Sequence, residues 1–117
     1  MLEFDETLIP TGKLIPYQEF GSLKDFGDTW FDNCFTVNLA ECQPLCVFRN
    51  AKRNIQVEIY PEQSYPYLQF YTPDDRRSIA IENLSAAPDA FNNGFGLKVL
   101  EPQQSAAFTT KFVIKTL

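Results

Sequence analysis

The run "SIAIE" at 78–82 ends in a carboxylate, Glu82, and opens into a loop, "NLSAAPDAFNNG", crowded with Ala, Pro, Asp and Asn. Successive side chains of a strand point to opposite faces, so Ser78, Ala80 and Glu82 share one side and Ile79, Ile81 and Asn83 the other. Two small residues leading to an acid leave an open floor with one proton acceptor at its end. A polar outer face with Glu82 solvated is the competing reading. The run before it places Tyr65, Tyr67, Gln69 and Tyr71 on one side. Flat rings tipped with hydroxyl and amide groups suit a sugar ring.

Strands must position these groups, because period 2 dominates the chain. "NIQVEIY" at 54–60 alternates Ile55, Val57 and Ile59 with Gln56, Glu58 and Tyr60, and "FTTKFVIK" at 108–115 puts Phe108, Thr110, Phe112 and Ile114 on one face. "EFDETLIP", "KLIPYQEF", "CFTVN", "PLCVFRN" and "YLQFYT" are further strand candidates. Turn signals fall between them: "PTG" at 10–12, "QP" at 43–44, "RN" near 53, "TPDD" at 72–75, "NNG" at 92–94 and "EPQQ" at 101–104. Their spacing predicts an all-β antiparallel sandwich, residues 1–117 forming one domain. The one helical turn predicted is "SLKDFGD", 22–28.

Composition narrows the function classes. Fifteen acidic against ten basic residues leave a net charge of −5 without a basic stripe, which excludes nucleic acid as a partner. No stretch of about 18 apolar residues occurs, and Glu3, Asp5 and Glu6 interrupt the pattern of a signal peptide, so a cytoplasmic protein with no membrane partner is expected. Cys34, Cys42 and Cys46 lack CxxC spacing and histidine, reading as reduced thiols rather than a metal site; a bridge between Cys42 and Cys46 stays open.

The segments "LIPTGKL", "FDNCFTV", "YPYLQFYTP" and "IAIENLSAAPDAFNNGFGL" and the terminal strand occur in an order that resembles the C-terminal half of aldose 1-epimerases, the galactose mutarotase family. "DNCF" together with the Glu ahead of "PDAFNNG" is the specific part. "EPQQS" departs from the Pro-Gly-Glu turn that many relatives carry before the last strand. The resemblance implies part of a β-supersandwich with a sugar cleft, and cofactor-free interconversion of the anomers of an aldose. It makes Glu82 the general base and Asp32 a ligand of sugar hydroxyls; Tyr67 and Gln69, from the strand face read above, are expected to bind the same sugar. Partial desolvation of Glu82 against Tyr and Phe would make it a better base near neutrality.

The family's acid and a second sugar contact are histidines of the N-terminal half, and this chain has no histidine. An unperturbed tyrosine, with a pKa of about 10, is a poor substitute. Sandwiches with a broad cleft also need roughly 200–250 residues. The expectation is therefore an isolated chain that is inactive, and either a missing N-terminal half or a homo-oligomer covering its exposed edges. A non-catalytic carbohydrate-binding or structural β module is the alternative. Trp30 is read as core beside Phe31 rather than a sugar platform, Asn92 and Asn93 as left-handed turn formers, and Arg76 and Arg77 as solvated loop charges.

Overall fold

The computed structural model describes residues 1–40, 43–61 and 63–117; the question of a bridge from Cys42 lies outside them. Eight strands, every pair antiparallel, form three sheets among the described residues. A hairpin joins β1 (Leu2–Phe4) to β2 (Pro10–Leu14); β3 (Asp32–Thr36), β6 (Tyr67–Tyr71) and β7 (Ala80–Leu84) lie in the order β3-β6-β7; β4 (Cys46–Asn50), β5 (Ile55–Pro61) and β8 (Thr110–Thr116) lie in the order β4-β5-β8. The all-β antiparallel class follows the period-2 pattern.

Several local expectations are corrected. "PTG" is not a turn but the start of β2: pairing of Leu2 with Leu14 and of Phe4 with Pro10 sets three residues against five, and Gly12, at φ 89°, absorbs the bulge. The turn sits at 5–9 instead, where Asp5 Oδ1 accepts from the Thr7 N–H, the Thr7 hydroxyl and the Ile9 N–H. "SLKDFGD" forms no helix. It is short, nucleation is costly, and its Phe26 is drawn with Tyr17 and Phe20 onto an aromatic face. Among the described residues the one α-helix is a single turn, α1 (Ala90–Asn93), beside a 3-10 turn at Ala51–Arg53, so Asn92 and Asn93 are helical, and the left-handed residues are Asp89 and Gly94 on either side.

The β3-β6-β7 sheet separates two kinds of surface. Phe35 and Phe70 project from one side, and buried Phe31 stacks with them at ring-centroid distances of 6.0 and 5.4 Å, with Phe26 at 5.7 Å and Tyr17 reaching Phe35 at 5.1 Å. On the other side, fully buried Cys34 packs with Leu2 and Ala87, joined by Phe4, Tyr67, Leu84 and Phe95. Residues 85–96 are thereby pressed onto half of that face. Gly96 makes the approach possible: at φ 74°, a Cβ there would stand 2.8 Å from the Tyr67 ring and 3.1 Å from the Ala86 Cα.

The β4-β5-β8 sheet is also two-sided. Cross-strand register groups Cys46, Ile59 and Phe112, then Phe48, Val57 and Ile114, on an apolar side, where Phe112 and Ile114 remain 58% and 68% exposed. Gln56, Glu58 and Tyr60 line the opposite side with Arg49, Lys111 and Lys115. The whole chain exposes 8335 Å², against about 6,500 Å² for a folded monomer of its mass. Its radius of gyration is 15.4 Å, against about 13.4 Å for a compact domain of this length. Apolar surface is left uncovered.

Candidate functional site

Register builds the site. Gln69 stands between Cys34 on β3 and Glu82 on β7, while Tyr71 stands between Asp32 and Ala80, and Tyr67 between Thr36 and Leu84. Directly paired residues project to the same face of a sheet, so Asp32, Tyr67, Gln69, Tyr71, Ala80 and Glu82 all share one side. The loop at 85–96 closes the Cys34–Tyr67–Leu84 end and leaves open the end carrying Asp32, Tyr71 and Ala80.

Within this face, Gln69 Nε2 donates to Asp32 Oδ1 at 3.2 Å. Among the described residues, Gln69 Oε1 is buried without a hydrogen-bond partner, which costs free energy. Glu82 is exposed, and among the described residues no side chain hydrogen-bonds its carboxylate. The partial desolvation expected of it is not supplied by these residues. Tyr67 is half-buried with its ring in the core wall, whereas Tyr71 is 41% exposed. Tyr65 precedes the strand and packs on Phe108 at 5.7 Å, and Ser78 lies in the loop before β7. The β6–β7 turn needs residues 72–79, with Arg76 at φ 52°, which moves β7 two residues later than expected without changing the side on which Glu82 emerges.

Two further residues correct their sequence readings. Trp30 is 53% exposed, not core. Arg76 is not a free charge: its guanidinium donates to the carbonyls of Gly27 at 2.8 Å, Thr29 at 3.0 Å and Asp28 at 3.5 Å, and lies 5.8 Å from the centre of the Phe26 ring. Thr72, also missed, is 1% exposed; its hydroxyl accepts from the Phe31 N–H, and its N–H donates to the Phe31 carbonyl. Nothing in the spacing of "TPDDRR" singles these roles out, because each depends on a loop more than 40 residues away.

Cys34 and Cys46 are pushed up to about 11 by burial, so neither is a nucleophile near neutral pH. Among the described residues no three His, Cys, Asp or Glu side chains converge as a metal ion would require, and no helix is long and apolar enough to cross a membrane. Two carboxylates and an amide on an open sheet face can accept hydroxyl protons and hydrogen bonds, the chemistry of polyol binding. A family model described as aldose 1-epimerase matches residues 1–113, and the chain belongs to that family, whose substrate class is a sugar. Neither a curated protein nor a solved structure matches the chain.

Proposed function

We propose that this chain carries the base and part of the sugar-binding surface of a cleft that interconverts the anomers of an aldose. Glu82 takes the proton of the C1 hydroxyl, C1 becomes a carbonyl as its bond to the ring oxygen breaks, and the ring oxygen takes a proton from an acid. Rotation about C1–C2 and the reverse transfers close the ring on the other face. Asp32, Gln69 and Tyr67 hold and wall the sugar, and no cofactor takes part. The observation that carries this reading is the register that puts Glu82 beside Gln69, with Asp32 bonded to the same amide on the same face.

The acid is the missing part. With no histidine in the chain, it comes from a companion surface contributed by a family N-terminal segment, and the apolar side of β4-β5-β8 is what invites association. Without that companion, two copies associate through the same uncovered surface. Reduced thiols at Cys34 and Cys46 fit a cytoplasmic setting. Polarimetry on freshly dissolved α-D-galactose and α-D-glucose tests the proposal: the chain alone leaves the rotation decay at its spontaneous rate, a histidine-bearing N-terminal segment of the family accelerates it, and Glu82→Gln removes the acceleration. Failure of every such segment to accelerate, with sugar still bound, would instead establish the second reading, a carbohydrate-binding module, which the absence of histidine favours. Size-exclusion chromatography with light scattering checks self-association; a monomer at every concentration contradicts it.

A further inference from the structure

Trp30 and Arg76 form an arrangement that the cleft reading does not use. The Thr72 N–H donates to the Phe31 carbonyl at 2.8 Å and the Phe31 N–H donates to the Thr72 hydroxyl at 3.2 Å, so one main-chain bond and one side-chain bond hold Phe31 beside the end of β6, one residue before β3 begins. Continued back from β3 through Phe31, the strand alternation would send Trp30 with Asp32 to the side opposite the buried ring. That is the open side, where Tyr71 pairs with Asp32. An indole 53% exposed, two residues before Asp32, is an unusual use of the chain's single tryptophan, since a Trp is highly buried on average.

The loop entering this position is held from outside. Three successive carbonyls, Gly27 to Thr29, accept from one guanidinium in the β6–β7 turn, which also covers Phe26, itself stacked on Phe31. A planar fork of five donors satisfies such a set where a lysine ammonium, a point donor, does not. Arg76 thus ties the turn leading to the Glu82 strand to the loop leading to Asp32.

Resting on the function proposed above, we propose that Trp30 is a further sugar-contact residue, its indole stacking on the apolar face of the pyranose whose hydroxyls Asp32 and Gln69 bind, and that Arg76 is the positioning residue that presents it. Stacking by an aromatic ring adds a factor of about five to ten in affinity. The positioning role is read without sugar, through the fluorescence of this one tryptophan.

The test uses Trp30→Ala, Trp30→Phe, Arg76→Ala and Arg76→Lys, all at exposed side chains, with D-galactose and D-glucose as probes in saturation-transfer NMR. Trp30→Ala should weaken binding about five- to tenfold, with Trp30→Phe in between. Arg76→Ala and Arg76→Lys should both raise acrylamide quenching of Trp30 and weaken binding, and millimolar guanidinium should restore Arg76→Ala but not Arg76→Lys. Wild-type affinity in Trp30→Ala, with binding lost in Asp32→Ala, overturns the platform and leaves the cleft standing. Unchanged quenching in both Arg76 variants overturns the positioning role whatever the sugar result. If wild type binds neither aldose, the cleft reading fails and the platform falls with it.

Discussion

Both three-stranded sheets carry a glutamate beside a glutamine, yet the two acids are built for opposite ends. On β5, Glu58 is buried; it accepts from Lys115 Nζ at 2.7 Å, the Tyr60 hydroxyl at 2.7 Å and Gln56 Nε2 at 2.5 Å, and Arg49 Nε in turn donates to the Gln56 oxygen. Lys115 and then Tyr60 hold its carboxyl below the ordinary glutamate value. A carboxylate so fully engaged is a structural anion. Glu82 is exposed and, among the described residues, has no side-chain hydrogen-bond partner, and its neighbour Gln69 keeps a buried oxygen without a partner among them. Where partners are complete the group stabilises the fold; on the function proposed above, an exposed carboxylate without them is free to meet a substrate.

The sharpest way to break this contrast is to neutralise each acid in turn. Glu82→Gln should cost about 10²–10⁴ in the mutarotation rate of the assembled cleft, the usual worth of a general base, while Glu58→Gln changes it less than about threefold. Polarimetry reads both, and equal losses would erase the distinction. Asp32→Ala comes next, lowering affinity for D-galactose by about tenfold or more, since hydrogen bonds to charged groups contribute about 1.5–3 kcal/mol; ligand-detected NMR checks it. Gly96→Ala should destabilise the chain by about 1–3 kcal/mol, because the left-handed backbone is strained for alanine and its methyl would strike the Tyr67 ring. Urea unfolding measures that. Glu82→Gln should leave the same curve within about 0.5 kcal/mol, as exposed substitutions do.

The smallest effect is on pH dependence. Because folding lowers the carboxyl of Glu58 from its ordinary 4.5, its contribution is present above that value and fades as pH falls through the lowered one. Glu58→Gln should therefore flatten the acid limb of thermal stability below about pH 4.5, as scanning calorimetry would show. A limb of unchanged slope would mean that another carboxylate governs it.

The comparison also shows what could be read from residues alone. Alternation placed Gln69 and Glu82 on faces before any register was known, because the two-residue period of a strand is local. It equally placed Gln56 and Glu58 together. What distinguishes the two glutamates is non-local: Lys115 lies 57 residues from Glu58, and no spacing rule pairs them. Arg76 and Gly96 escaped for the same reason, their roles being set by carbonyls at 27–29 and by the ring of Tyr67. Trp30 was misjudged because its neighbour Phe31 takes the buried position and the indole stays exposed. "PTG" misled because a glycine with positive φ serves a bulge as readily as a turn.

The most direct test is titration of the ¹⁵N-labelled chain with D-galactose, followed by amide chemical shifts. The account predicts changes concentrated at residues 30–34, 69–71 and 80–84, reached only at about tenfold or more higher sugar concentration in Asp32→Ala, with the amides of β4-β5-β8 unmoved. Shifts confined to 46–61 and 110–116, or none at saturating sugar, would contradict it.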